Sequence, residues 1–304
     1  MSLSRRALLS SAALAAAPPE AQPVLVDTHV HLFSEDRRQF PYHGNAPYRP
    51  EPAPLPKYLE FVKEAGIAHV VIVHPEPYQD DHRYLEYCFE HEPSPLFFKG
   101  TCLFDPIDPA TPGRISALAR RNPKRIVALR IHCNRERGVA PTTSGAIRDR
   151  DLRDPRIKDT LRRLQELRMA AQFHIIPLHA VEVHALATEF PEIPFIIDHL
   201  ARSGAGTPAE YAHVLEMGRL KNVVMKFSGV AYSSREPHPH KDARALVRQT
   251  YDVFGPTRMI WGGLGQTRQD FRWQSELFEE MFSFASASDR ARIQGGNAMR
   301  LFWT

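Results

Sequence analysis

The sequence predicts a (β/α)8 barrel of the α/β class, and three observations carry that expectation. Eight short runs rich in β-forming residues alternate with helical segments, which argues for parallel strands joined by helical crossovers within one domain. The 304 residues suffice for a single barrel of about 250. In four of the runs, polar side chains alternate with apolar ones, so that one face of each strand would send polar groups toward a common interior.

The strands read near VLVDTHVH (24–31), HVVIVH (69–74), FFKGTCLF (97–104), RIVALRIH (125–132), AQFHII (171–176), PFIIDH (194–199), NVVMKFS (222–228) and RMIWGG (258–263). Between them, segments such as KYLEFVKEAG, RIKDTLRRLQELR and DARALVRQTYDVFG repeat apolar residues at three- and four-residue spacing, the period of an amphipathic helix. In the first strand Val24, Val26, Thr28 and Val30 share one face, leaving Asp27, His29 and His31 inward. The fourth sets Val127, Leu129 and Ile131 against inward Ala128, Arg130 and His132. The fifth opposes Phe173 and Ile175 to Gln172 and His174, and the seventh opposes Val223, Met225 and Phe227 to Lys226 and Ser228. A barrel interior is normally filled with branched apolar side chains, and an unpaired buried polar group costs roughly 1 to 3 kcal/mol, so this many polar groups at strand ends point to chemistry.

Residues 1–22 differ from the rest. Arg5 and Arg6 precede a modest run of Leu and Ala, then small residues and prolines. This is the order of an export signal of twin-arginine type, with the barrel occupying 23–304 and the mature protein periplasmic or otherwise exported, without stable membrane association. A net charge of +4 spread along the chain, with segments such as RRNPKR (120–125) reading as solvated helix ends, gives no reason to expect nucleic acid as a partner. Cys88, Cys102 and Cys133 form no CxxC pair and read as buried small hydrophobes.

His29 and His31, on one face of one strand, can both reach a cation near the barrel axis, with His174 from the fifth strand as the natural third ligand. His199 is a fourth group, as ligand or proton carrier. A divalent ion such as zinc or manganese held by three imidazoles would lower the pKa of its water to about 7. Hydrogen-bonded core histidines are the alternative reading for each ring taken singly.

DTHVH, the histidine of QFHII, DHLAR, VMKFSG, RMIWG and GGNAMRLF resemble, in order, the amidohydrolase-related family, and within it the lactonase-like branch whose neighbours include decarboxylases. The resemblance runs from about residue 24 to 303. It implies a barrel hydrolase of C–O or C–N bonds in which His29, His31, His174 and His199 are the matching histidines, with or without a metal. It also implies a strand-eight aspartate in a WGSD-like pattern that takes the proton of the attacking water. This chain reads Trp261, Gly262, Gly263, Leu264, with leucine at the acidic position.

Without that aspartate the proton could go to His199, or to the more distant Glu76, Asp105 or Asp270; alternatively the chemistry is gone and a ligand-binding barrel remains, or the reaction is a decarboxylation that releases carbon dioxide. Arg130 is placed to pair with a substrate carboxylate or with Asp27 or another barrel carboxylate. Lys226 would contact substrate or Asp27, and His74 would hydrogen-bond a substrate oxygen or cap its strand. The expected partner is a small molecule, an acidic lactone. Two long loops read as pocket walls: Phe33 to about Pro56, rich in proline and aromatics, and SGVAYSSREPHPHKD after strand seven, whose His238 and His240 read as solvated.

Overall fold

The computed structural model describes residues 24–304; the export-signal expectation for 1–22 falls outside them. Eight parallel strands follow one another around the sheet in chain order: β1 Leu25–Val30, β2 Ile67–Val73, β3 Phe98–Cys102, β4 Ile126–Cys133, β5 Ala170–Ile175, β6 Phe195–Ile197, β7 Val223–Phe227 and β8 Met259–Trp261. Each is followed by a helix: α1 Leu55–Val62, α2 Arg83–Glu90, α3 Thr111–Arg121, α4 Ile157–Glu166, α5 Ala180–Glu189, α6 Pro208–Glu216, α7 Arg244–Phe254 and α8 Arg268–Met281. Two short helices, α9 Ala287–Ala291 and α10 Asn297–Phe302, end the fold. None of the described helices is long and apolar enough to cross a membrane.

The helices form where the apolar period said they would. In α4, Ile157, Leu161 and Leu164 are buried against the sheet while Arg162 and Arg163 face water. Helices α6 and α8 each begin with a capping box, Thr207 with Glu210 and Thr267 with Asp270, in which side chains satisfy backbone N–H groups of the first turn.

Inside the cylinder the side chains stack in layers. Val26, Val71, Ala128, Ala170, Ile196 and Ile260 form an apolar floor, covered from below by Ala298 and Phe302 of α10. Above it the interior becomes polar. The outward residues read from β4, β5 and β7 all lie in the larger core between sheet and helices, apart from partly buried Val127.

Strand β1 departs from simple alternation. Its pairing with β2 is irregular between Leu25 and Val26 and between Asp27 and Val30. Val26 therefore packs in the interior floor, and Asp27 turns to the seam between β1 and β8 instead of facing the barrel axis. There its Oδ1 accepts N–H bonds from His29 (2.9 Å) and Gly263 (2.8 Å). The seam is completed by Thr28 Oγ1 donating to Trp261 O (2.6 Å) and Leu264 N donating to His29 O (2.8 Å), so side chains and loop backbone close the cylinder. Strands six and eight are shorter than their apolar runs because the chain turns away after Ile197 and Trp261. The three cysteines are buried and free, as expected.

Candidate active site

One buried carboxylate organises the polar interior. Asp198, immediately after β6, receives Arg130 Nε (3.1 Å) and Gln172 Nε2 (2.9 Å) on Oδ2, and Lys226 Nζ (3.0 Å) on Oδ1, with His29 Nδ1 3.8 Å away. Burial alone would raise its pKa; Lys226, then Arg130 and His199, outweigh that and hold it well below the usual carboxylate range. Lys226 also donates to Thr28 O (3.1 Å). Both cations are thus engaged beneath the site, Lys226 by Asp198 and not by Asp27. Among the described residues the Arg130 side chain bonds only through Nε, to Asp198, which leaves its terminal nitrogens available.

Above this layer the imidazoles gather at the C-terminal ends of the strands, where barrel enzymes carry their chemistry. His29 Nε2 and His31 Nε2 lie 3.2 Å apart. His31 Nδ1 donates to Val73 O (2.7 Å), which fixes its proton on that nitrogen and leaves Nε2 a lone pair. The His29 ring is 4.6 Å from that of His199, which is 5.0 Å from that of His174. His199 Nδ1 meets Ser228 Oγ at 2.9 Å. His174 turns Nδ1 toward His132 Nδ1 (3.3 Å). Burial is the main reason that all five rings stay neutral: it takes His31 and His199 to about 3 and the other three well below their usual value, the charges of Arg130 and Lys226 adding to the effect.

Two local backbone devices hold His199. Residues 199–202 have φ between 51° and 55°, a left-handed turn of four L-residues. Gly229, at φ 55°, lies against it, where a Cβ would stand 2.8 Å from His199 Nδ1. Gly262 serves His29 similarly, since a Cβ there would come within 2.6 Å of the His29 Cβ. Tyr232, 5.3 Å from His199 ring to ring, lines the rim under Arg202. Near Glu76 and Tyr232 lies Tyr48 of the first long loop, an exposed ring whose hydroxyl end is covered and pushed up to about 12, first by that cover and then by the charge of Glu76.

Of the residues picked out in the sequence, His29, His31, His174 and His199 come together, with Arg130 and Lys226 below them. Among the described residues, the one set of three potential ligands with donor atoms all within 4.8 Å is His29, Asp198 and His199. His74 is not gathered: its Nε2 is bound to Gln79 O (2.9 Å) and its ring lies tilted against His82, 4.3 Å between centroids. Asp270 is occupied in capping α8, and Asp105 pairs with Arg150 (2.7 Å), so neither reaches the imidazoles. His238 and His240 lie in an exposed loop, with His238 stacked on Trp273. Leu264, at φ 54°, contributes its N–H to the seam. The sequence reading missed Asp198 as the hub, although Ile196 and Asp198 share the inward face of β6, and left His132 out of the site despite its inward parity.

The chain is 26% identical over 292 residues to L-fucono-1,5-lactonase of Burkholderia ambifaria, covering 91% of this chain and 94% of that one. It is 27% identical over 239 residues to 4-sulfomuconolactone hydrolase of Rhizobium radiobacter, covering 78% and 73%. The fold superposes on a probable 2-pyrone-4,6-dicarboxylic acid hydrolase of Acinetobacter baumannii, crystallised with citric acid, with a TM-score of 0.73 at 19% identity, covering 92% of this chain and 99% of that one. Residues 26–303 match the amidohydrolase family profile, so strand order, strand-end histidines and homology agree that this chain belongs to the amidohydrolase family.

Proposed function

We propose that this amidohydrolase-family hydrolase opens small carboxylated lactones. The observation that carries the reading is the gathering of neutral imidazoles directly above Arg130 and Lys226, which gives a positively charged floor beneath groups able to move protons. Arg130, with its terminal nitrogens available, orients a substrate carboxylate by paired hydrogen bonds. His199, backed by Ser228 and kept neutral by burial, carries a proton toward the departing ring oxygen.

The donor set suits a divalent ion. His29 Nε2 and His31 Nε2 converge to 3.2 Å, close enough for both to face one ion. His174, the third ligand expected from the sequence, has no donor atom in a close set with the other two, and Asp198 is already shared by two cations, so His29 and His31 are the residues that would hold it. Bound there, such an ion supplies a water acidified toward about 7.

Purified mature protein assayed for metal content beside a panel of acidic and neutral lactones tests the reading. The expected result is ring opening that prefers acidic lactones and is lost in His29→Ala. Absence of hydrolysis across the panel, together with unchanged ligand binding in His29→Ala, defeats it. Leu264 in place of an acidic residue favours a second reading, a binding barrel that has lost its base. Large activity gained by Leu264→Asp from near zero supports that reading, and loss of existing activity supports a reshaped hydrolase.

A further inference from the structure

The proton of the attacking water needs an acceptor, and strand eight supplies none. On the opposite wall, Glu76 follows β2 in a short turn, Glu76–Tyr78, and is buried. Its Oε2 lies 3.5 Å from His132 Nδ1. The same nitrogen is 3.3 Å from His174 Nδ1, so one proton at His132 Nδ1 can be exchanged with either neighbour. The far nitrogen of His174, Nε2, is buried with no hydrogen-bond partner among the described residues, on a ring in edge contact with His199. A continuous file of titratable groups therefore runs from the centre of the site to a carboxylate.

We propose that Glu76 is the terminal proton acceptor of this site, reached through His174 and His132, and that it stands in for the strand-eight carboxylate that Leu264 replaces. The proposal rests on the hydrolase reading above. As the water oxygen bonds to the lactone carbonyl carbon, the carbonyl π electrons move to its oxygen and one water proton passes to His174 Nε2. The Nδ1 proton of His174 moves to His132 Nδ1, which releases it to the Glu76 carboxylate. When the tetrahedral intermediate collapses, the bond to the ring oxygen breaks. The stored proton returns along the same file, directly or across His199, and the ring oxygen leaves as a hydroxyl. The enzyme ends as it began.

The surroundings suit this role. Burial raises the proton affinity of Glu76, while Arg148, whose Nε is 3.3 Å from Oε1, and Arg130 lower it; Asp149 raises it slightly, and the Tyr48 hydroxyl is the other titratable group close by.

The experiment compares the full chain with Glu76→Gln and Glu76→Asp on whichever lactone the wild type opens, with melting temperature as the check on folding. Glu76→Gln is expected to lower kcat by about 10²-fold or more with KM nearly unchanged and to abolish the acid limb of the kcat–pH profile, whereas Glu76→Asp keeps a shifted limb. A folded Glu76→Gln with wild-type kcat and an unaltered acid limb overturns the relay while leaving the hydrolase reading intact. Should the wild type open no lactone, the hydrolase reading falls, and imidazole 15N NMR decides the proton file separately. Glu76→Gln must then change the Nδ1 protonation of His132, and unchanged His132 and His174 signals overturn it.

Discussion

Asp198 carries the electrostatics of the site, since it pairs directly with two buried cations. Asp198→Asn would leave Arg130 and Lys226 without a counter-charge, an arrangement that costs about 3–5 kcal/mol when a buried partner is removed. The expected outcome in denaturant titration is a loss of that order, together with loss of activity; a change under 1 kcal/mol would show that the network is not coupled to folding. At this scale, parity along strands was a good guide. Arg130, Gln172, His174, Lys226 and Ser228 all sit on the faces the alternation gave them, because β4, β5 and β7 pair in register. Asp27 did not, because irregular pairing of β1 with β2 cannot be seen in a list of residues. His74 shows a different limit: a strand-end position does not fix which way a ring turns, and the carbonyl of Gln79, immediately after the turn that follows the strand, claimed it.

At the scale of elements, the turn at 199–202 is the least expected feature. Left-handed conformation costs L-residues roughly 1–2 kcal/mol each, and DHLAR contains no glycine to announce it. Its neighbours over-determine it: Leu200 and Ala201 are buried, and Ser203 Oγ donates to Leu200 O. Gly229→Ala would place a methyl group against His199 and force an L-residue to φ 55°. We expect about 1–2 kcal/mol of destabilisation, with kcat falling at least tenfold as His199 leaves Ser228. Wild-type kinetics in that variant would mean that the position of His199 is not critical. The helices were easier to read, since their apolar period and capping residues act locally, whereas strand lengths were overestimated wherever a loop diverted the chain early.

For the whole molecule, the five neutral imidazoles set the response to acid. Folded His31 and His199 titrate near 3, against about 6.5 in an unfolded chain, so the unfolded state binds protons first as the pH falls. Stability present above about pH 6.5 is therefore lost progressively toward pH 3, with Asp198 adding a further loss below about pH 4. Asp27 works in the other direction: raised to about 6, it favours the folded state below its unfolded value, and that contribution disappears as the pH rises through 6. The histidines outnumber it, so melting temperature in chelator-treated protein should fall steadily from pH 7 to pH 5, and a flat profile would contradict their neutrality. The export reading yields a separate expectation: Arg5→Lys with Arg6→Lys should retain the protein in the cytoplasm, as cell fractionation would reveal. Barrel architecture itself was legible throughout, because eight repeats of one pattern constrain the fold more tightly than any single segment does.

Leu264 enters the closure of the barrel through its main-chain N–H, which every residue but proline carries. Selection on barrel closure thus leaves that side chain unguarded, and an acid there can be exchanged without rebuilding the scaffold. Every stave of a cylinder faces the same axis, so a lost function can be taken up from another side. Catalytic duties in such a fold are free to migrate around the circle while the architecture stands still.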